Sequence, residues 1–215
     1  MSARIVSGLI GLGLGFATAW ADAPVPIANW DAPDRPGWVE KAFAGETRYT
    51  PVRDRDETVL RADASASASG LVREIRVDLT KTPILHWRWR VDAPLTGLHE
   101  RTRDGDDYAA RVYVIVSGGW RFWRTRALNY VWSGNQPAGA NWPNAYTGNA
   151  RMVAVRGTDD ASGAWYEERR DVRADLRAQF SEEIDIVDAV AIMTDTDQSK
   201  RDATGWYGAI WFSAD

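Results

Sequence analysis

The sequence predicts an all-β fold, an antiparallel β-sandwich of the jelly-roll type with one surface α-helix. Roughly eight or nine short runs of β-forming residues are separated by turn clusters rich in Gly, Pro, Asn and Asp. Most runs alternate apolar with polar side chains, as strands do when one face packs on a second sheet and the other meets solvent. A single segment, residues 167–180, has the period of an amphipathic helix instead.

The first 21 residues are predicted to be a secretory signal peptide. Arg4 precedes an apolar stretch, Ile5 to Phe16, which is too short for a stable membrane span, and Ala19-Trp20-Ala21 fits a small-x-small cleavage site. The mature protein is therefore expected to be periplasmic or secreted, with no membrane span after the signal is removed.

Two further segments complete the predicted domain organisation. Residues 22–44 contain four prolines and are expected to form an extended lead-in, because proline is excluded from helix interiors and central strands. Residues 45–215 are expected to form the β-sandwich, a length sufficient to bury one core.

The predicted strands begin near residue 59. The clearest is 84–92 (ILHWRWRVD), in which Leu85, Trp87, Trp89 and Val91 share one face. The other predicted strands are 59–63, 71–79, 108–118, 127–132, 151–156, 187–194 and 205–213.

One helix and one long connection interrupt the strands. In the helix, Val172, Leu176 and Phe180 recur at positions i, i+4 and i+8, which predicts a narrow apolar stripe lying across a sheet. Residues 134–149, rich in Gly, Asn and Pro, connect two strands, and long loops in compact domains are often functional.

The composition excludes several classes of function. The chain has no Cys, which removes thiol nucleophiles, Cys-ligated zinc and iron–sulfur clusters, and its two His argue against a multi-His metal site. The formal net charge is −4, so the basic footprint of nucleic-acid binding is absent. The 12 Trp are more than one core needs; they either stack on sugar rings or fill a large sandwich core.

Five stretches in order, HWRWRVD, GDDYAARVYVIVSG, ALNYVWS, AIMTDTD and WYGAIWF, resemble a family of bacterial exported proteins, the domain of unknown function 3047. The resemblance runs from Gly45 to Phe212 and so covers most of the predicted domain. No function is established for this family, so the resemblance implies no catalytic residue.

The layout is also similar, more loosely, to jelly-roll modules of the galactose-binding type, many of which bind glycans. That resemblance implies a saccharide partner and a structural calcium ion held by an acidic residue near the last strand. Ala209 stands at the corresponding position of this chain. No cofactor is therefore expected, and a structural calcium ion is left as an alternative.

Two acidic clusters are candidate ion or ligand sites. Asp104, Asp106 and Asp107 in RDGDDY precede a strand, while Asp195 and Asp197 leave a strand on one side because they are two residues apart. Carboxylates in such clusters bind calcium or act as the acid and nucleophile of a glycosidase. They are also ordinary turn residues and partners of Arg. We interpret both clusters first as turns, and assign no catalytic or metal residue.

A basic and aromatic strand face is a second candidate. Alternation places Arg88 and Arg90 opposite the Trp-rich face of their strand, and Arg111 and Tyr113 share a face of the next one. If these faces are neighbours, they suit an acidic saccharide, because Arg binds carboxylate and phosphate groups. The alternative is that these Arg pair with acidic residues on adjacent strands.

Loop aromatics are a third candidate. Trp123 lies in GGWRFWRTR, which has the sequence of a hairpin tip, and Trp142 lies in the connection 134–149. Each is either a platform for a sugar ring or a residue that pins its loop down.

The favoured function is non-catalytic binding of a carbohydrate or cell-envelope glycan, with no nucleic-acid partner. A glycan-cleaving hydrolase or lyase on the same fold is the first alternative, and an envelope protein-interaction domain is the second. The predicted ligand-binding residues are Arg88, Arg90, Arg111, Tyr113, Trp123, Trp142, Asp195 and Asp197.

Overall fold

The computed structural model describes residues 22–215, apart from the side chain of Phe122, and shows two packed β-sheets and one α-helix. The predicted signal peptide, residues 1–21, lies outside the described residues. The helix α1 spans Val172–Phe180. The strands are β1 (Val25–Ala28), β2 (Trp38–Ala44), β3 (Arg48–Asp54), β4 (Glu57–Ser65), β5 (Ala68–Asp78), β6 (Ile84–Val91), β7 (Arg111–Val116), β8 (Arg126–Trp132), β9 (Asn141–Pro143), β10 (Ala150–Arg156), β11 (Tyr166–Asp171), β12 (Ile186–Asp195) and β13 (Asp202–Ser213).

The first sheet has six strands, in the order β11-β6-β13-β4-β3, with β1 pairing to the second half of β13. The second has seven, in the order β2-β5-β12-β7-β8-β10-β9. Consecutive strands cross from one sheet to the other between β4 and β5, β5 and β6, and β6 and β7, as they do in a jelly roll. The predicted all-β sandwich with one surface helix is confirmed.

One strand pair departs from the predicted antiparallel arrangement. β8 and β10 run parallel, with Ala150 opposite Ala127 and Val153 opposite Tyr130. A parallel pair requires a connection of about a dozen residues or more. The segment between β8 and β10 meets this requirement and returns the chain to the start of β8 before β10 begins.

The space between the sheets is filled by the apolar faces that alternation predicts. Trp87 and Trp89 of β6 are buried against β8, with ring centroids 5.2 Å apart for Trp87 and Tyr130 and 5.9 Å apart for Trp89 and Trp132. The indole of Trp89 donates a hydrogen bond to Glu168 at 2.8 Å, which satisfies a polar group inside the core. Much of the Trp content therefore belongs to the core.

The helix is shorter than predicted, because residues 166–171 form β11 along the edge of β6. Backbone pairing with β6 satisfies their amides, which overrides their helix-forming composition. Asp171 then caps the helix by accepting a hydrogen bond from the Ala174 amide at 2.9 Å. The predicted apolar stripe is confirmed: Val172 and Leu176 are buried and Phe180 packs against the core.

The segment 22–44 is extended, as expected, but it belongs to the sandwich rather than preceding it. β1 pairs with β13, and β2 pairs with β5 as an edge strand of the second sheet. Proline is tolerated there because an edge strand leaves one row of amides unpaired. The domain therefore starts before the predicted boundary at residue 45.

The one helix in the described range, α1, has nine residues. Within residues 22–215, no helix has both the length and the apolar character needed to cross a membrane.

Candidate functional site

An open cleft with a volume of about 390 Å³ lies on the outer face of the seven-stranded sheet. Its floor consists of small or flexible side chains that point away from the core: Ala68, Ala127, Ala150 and Met193. Loops on either side of the sheet supply polar side chains to its walls: Asp106, Asn144, Tyr146, Asp197 and Gln198. The cleft exists because the outer face carries alanines where larger residues would fill the space.

Strand register places two functional side chains next to each other on this floor. Tyr113 of β7 lies opposite Asn129 of β8, and both point outward because their neighbours Val112, Val114 and Leu128 are buried in the core. The Tyr113 hydroxyl donates to the Met193 sulfur at 3.4 Å. Within residues 22–215, the Asn129 amide makes no side-chain hydrogen bond.

Two aromatic rings at the cleft are exposed. The side chain of Phe43 on β2 is 74% exposed, and that of Tyr146 in the connection between β9 and β10 is 50% exposed. Arg103 lies over the Tyr146 ring at 5.1 Å, and Gln198 donates to the Tyr146 hydroxyl at 3.3 Å. These two contacts hold the Tyr146 side chain in place. Sequence patterns gave no signal for Phe43, because it lies in the proline-rich lead-in.

A buried ion pair supports one end of the cleft. Arg111 Nε donates to Asp195 Oδ1 at 2.8 Å, and its Nη2 contacts both Asp195 Oδ2 and the Asp106 carbonyl oxygen. Asp106 Oδ2 lies 3.5 Å from Arg111 Nη1. The pairing follows from the sheet, since Met193 is opposite Arg111 and Asp195 is two residues further on the same face.

Burial and charge act in opposite directions on this pair. Burial raises the pKa of Asp195, and Arg111 opposes that rise. Burial is the largest single influence on Arg111 and works against its charge, but Asp195 together with Asp106 and the neighbouring tyrosines raises the pKa of the guanidinium above its ordinary value. Arg111 is therefore a permanent cation whose charge is directed at Asp195 and Asp106.

Three carboxylates, one of them the Asp195 carboxylate of this pair, lie close together. One oxygen from each of Asp107, Asp195 and Asp197 lies within 4.8 Å of the others. Asp107 accepts hydrogen bonds from the backbone amides of Gln198 and Ser199, so it fixes the loop after β12. Both Asp195 oxygens contact Arg111, whose guanidinium supplies the counter-charge of this carboxylate.

This arrangement also bears on acid–base chemistry. A glycosidase needs two carboxyl groups that face the substrate and are free to exchange protons or attack it. Asp195 is bound at both oxygens and Asp107 holds backbone amides, which leaves Asp197 as the half-exposed member of the three. Burial, followed by the nearby Asp107, raises the pKa of Asp197. The geometry does not favour the hydrolase alternative.

The structure brings together four of the predicted ligand-binding residues: Arg111, Tyr113, Asp195 and Asp197 line the same cleft. Arg88 and Arg90 lie elsewhere, on the outer face of the six-stranded sheet, so the predicted joint surface with Arg111 and Tyr113 is wrong. The reason is topological, since the chain crosses between sheets from β6 to β7.

The loop aromatics have different positions. Trp142 is only 3% exposed and packs in a second apolar cluster with Tyr108 and Met152, so it pins its loop to the sheet instead of presenting a platform. Trp123 is 55% exposed, but it lies in the β7–β8 connection and does not line the cleft.

The family model described as "Protein of unknown function (DUF3047)" matches residues 36–211. The chain belongs to this family. The match runs from just before β2 to within two residues of the end of β13, so every strand that lines the cleft lies within the DUF3047 region. A comparison with curated proteins finds no match.

Solved structures with similar chain paths include three proteins with saccharide ligands or cellulosomal origin. A family 11 carbohydrate-binding module from Clostridium thermocellum, in complex with a β-1,3-1,4-mixed-linked tetrasaccharide, has 8% identity and a TM-score of 0.48, covering 88% of this chain and 94% of that one. A family 30 carbohydrate-binding module of a Clostridium thermocellum cellulosomal cellulase has 10% identity and a TM-score of 0.45, covering 91% and 95%.

The third is the xyloglucanase domain of NopAA, a type three effector from Sinorhizobium fredii, in complex with cellobiose. It has 10% identity and a TM-score of 0.47, covering 91% of this chain and 100% of that one. The saccharides in these structures are ligands of those proteins.

Proposed function

We propose that this chain is an exported carbohydrate-binding domain that holds an uncharged glycan in the cleft on its seven-stranded sheet. Export is inferred from the signal-peptide pattern of residues 1–21. The observation that carries the binding proposal is the combination of an open cleft, exposed aromatic rings at its edges and polar groups without partners on its surface.

The aromatic rings at the cleft are suited to stacking on sugar rings. Pyranose rings present apolar C–H faces, and Phe and Tyr rings offer matching flat surfaces with little conformational entropy to lose. Phe43 and Tyr146 are exposed at the cleft, and Tyr113 contributes a half-buried ring to its floor. These three rings support a glycan along the sheet.

Polar groups of the cleft are available to hydrogen-bond with sugar hydroxyls. The Asn129 amide offers two donors and an acceptor. Within residues 22–215, Asp106 Oδ1 is buried without a hydrogen-bond partner, although the other oxygen of that carboxylate accepts from Asn144 at 3.1 Å. A buried acceptor without a partner is costly, and a sugar hydroxyl donating to it removes that cost.

The charge at the cleft selects the class of glycan. In the described part of the chain, Arg111 is the one basic residue that lines the cleft, against the acidic residues Asp106, Asp195 and Asp197. Its guanidinium is hydrogen-bonded to Asp195 and ion-paired with Asp106. The three carboxylates outnumber this single guanidinium, so the cleft carries a net negative charge and an uncharged glycan fits better than the acidic one that the sequence suggested.

The test is affinity electrophoresis of the mature protein in gels containing neutral or acidic polysaccharides. We expect retardation by at least one neutral polysaccharide. Phe43→Ala and Tyr146→Ala should each weaken binding about tenfold, which corresponds to the loss of about 1.4 kcal/mol per aromatic anchor. Trp211→Ala is the matched control, because Trp211 is 36% exposed on the six-stranded sheet. Equal effects of all three substitutions, or no binding to any neutral polysaccharide, would contradict the proposal.

A further inference from the structure

The connection between β7 and β8, residues 117–125 (SGGWRFWRT), places two large aromatic side chains in solvent. We call this segment the β7–β8 tip. Trp120 is 78% exposed and Trp123 is 55% exposed, with their ring centroids 6.1 Å apart. Exposed apolar groups that cluster in this way mark interaction sites more often than isolated ones do.

The charged residues of the β7–β8 tip are all basic. Arg121 lies 4.5 Å from the Trp120 ring, and Arg124 is exposed one residue after Trp123. Among residues 22–215, neither Arg121 nor Arg124 has an ion-pair partner. By contrast, Arg126 at the start of β8 pairs with Glu182 at 2.8 Å. Two guanidinium groups in the tip therefore lack a counter-charge within the described chain.

These basic residues meet at a common depression. A hollow of about 210 Å³ at the base of the tip is lined by Arg121, Arg124 and Arg126, together with Gly118 and Glu182. Glu182 is held by Arg126, so the two remaining guanidinium groups give the hollow a net positive charge. Planar guanidinium groups bind phosphate oxygens in a bidentate manner.

The tip adjoins the proposed glycan cleft without lining it, since the Trp123 carbonyl accepts a hydrogen bond at 2.6 Å from Asn149, the neighbour of Ala150 on the cleft floor. β7 begins at Arg111, beside Asp195, and ends at Val116, so the tip is at the opposite end of that strand from the buried ion pair. Neither Trp120 nor Trp123 lines the cleft. The tip also has the opposite charge to the cleft, which indicates a different kind of partner.

We propose that the β7–β8 tip docks the protein onto an anionic phospholipid surface. Trp rings favour the interface between lipid headgroups and acyl chains, where one edge is apolar and the other hydrated. Trp120 and Trp123 enter that interface, while Arg121 and Arg124 contact lipid phosphates at the hollow. Asp188 accepts a hydrogen bond from the Ser117 amide at the base of the tip, but the charged residues of the tip itself are basic. The charge complementarity of these residues with an anionic membrane is the observation that selects a lipid partner over a neutral polymer.

The test is cosedimentation of the mature protein with vesicles of phosphatidylcholine alone and vesicles containing equal amounts of phosphatidylcholine and phosphatidylglycerol. We expect binding to the anionic vesicles that weakens with added salt. Replacing both free basic residues, in Arg121→Ser/Arg124→Ser, should weaken it roughly thirtyfold, from the usual contribution of two basic residues near such a surface. The control Arg48→Ser/Arg55→Ser makes the same charge change on the six-stranded sheet and should bind like the parent.

Quenching of Trp fluorescence by brominated lipids gives a second readout. The parent protein should be quenched on anionic vesicles, and Trp120→Ser should lose most of that quenching without losing thermal stability. The proposal is overturned if the parent protein does not bind anionic vesicles, or if the tip and control double variants bind them equally. It is also overturned if the tip variant loses affinity for a soluble neutral polysaccharide, which would place the tip in the glycan site.

Discussion

The outer faces of the two sheets differ in how their polar and aromatic side chains are used. On the six-stranded sheet, Arg90 lies over the Trp206 ring at 4.1 Å and Arg88 over the Trp165 ring at 4.2 Å. Arg88 also pairs with Glu57, so both guanidinium groups are in contact with neighbouring side chains, although Nε of Arg88 and Nε of Arg90 have no hydrogen-bond partner within residues 22–215. On the seven-stranded sheet, alanines open a cleft that is lined by the exposed rings of Phe43 and Tyr146 and by the Asn129 amide.

This difference shows what a binding face requires beyond composition. Both faces carry aromatic and polar residues, and β6 carries the more conspicuous pattern in the sequence. Its Arg and Trp residues form a continuous set of cation–π contacts, in which the side chains cover one another. The less conspicuous face has the available surface, because small floor residues prevent its side chains from covering one another.

Removing the buried cation should have the largest effect. Arg111→Met leaves Asp195 and Asp106 buried without their counter-charge, and we expect a loss of about 3–5 kcal/mol in the free energy of unfolding. Arg90→Met on the other face should cost below about 1 kcal/mol, because Arg90 is partly solvated and its nearest carboxylate oxygen is 4.0 Å away. Urea denaturation measures both. Similar losses would show that the two faces do not differ as described.

Filling the cleft should abolish ligand binding with little effect on stability. Ala150 is half-buried on the cleft floor, and Ala150→Tyr would occupy the space above Ala127. We expect affinity for a neutral polysaccharide to fall by more than about tenfold. Thr50→Tyr, at an exposed β3 position of the six-stranded sheet, is the matched control and should bind normally. Unchanged affinity in Ala150→Tyr would exclude the cleft as the site.

Alkaline pH should weaken the contact between the sheets through a buried tyrosine. The Tyr207 hydroxyl accepts from the Arg111 amide at 3.2 Å and lies 3.0 Å from the Thr194 hydroxyl, and burial raises its pKa. The folded state therefore disfavours the tyrosinate, so the stabilisation is complete below the ordinary tyrosine pKa of about 10 and declines as the pH rises above it.

Urea denaturation at a series of alkaline pH values measures this effect. Tyr207→Phe should lower stability at neutral pH and flatten the decline above the ordinary tyrosine pKa. An equally steep decline in the variant would assign the pH dependence to the other buried tyrosines, Tyr49, Tyr108 and Tyr130, whose pKa values burial also raises.

Chelation should have the smallest effect. Because Arg111 neutralises Asp195 and Asp107 is bound to backbone amides, we expect the melting temperature to be the same in EDTA and in excess calcium. Calorimetry tests this, since an ion bound to the folded state alone would raise the melting temperature with its concentration. A calcium-dependent rise would show that the three carboxylates hold an ion.

The strands were predictable because alternation is a local property of the sequence. The buried faces of β6 and α1 follow directly from their spacing. Five strands were missed, since prolines or helix-forming residues conceal them: β1, β2, β3, β9 and β11. All five depend for their pairing on partners that the local pattern does not show. The family resemblance was recognisable from short motifs in order.

The site was only partly predictable. Alternation placed Arg111 and Tyr113 on one face, and spacing placed Asp195 and Asp197 on one side of their strand. Which sheet each strand joins depends on long-range topology, so the partners of Arg88 and Arg90 could not be predicted from the sequence. The sequence gives no signal that Phe43 and Asn129 contact a ligand. Both line the cleft, and this position depends on the tertiary structure.

The most direct test of the contrast between the two faces is amide hydrogen exchange of the mature protein, with and without a saturating neutral oligosaccharide chosen from the polysaccharide that binds. If the ligand lies in the cleft, we expect the oligosaccharide to slow amide exchange in the loops around Asp106, Tyr146 and Gln198 and to leave exchange in β6 and β13 unchanged. Protection confined to β6 and β13 would place the ligand on the six-stranded sheet and contradict this expectation.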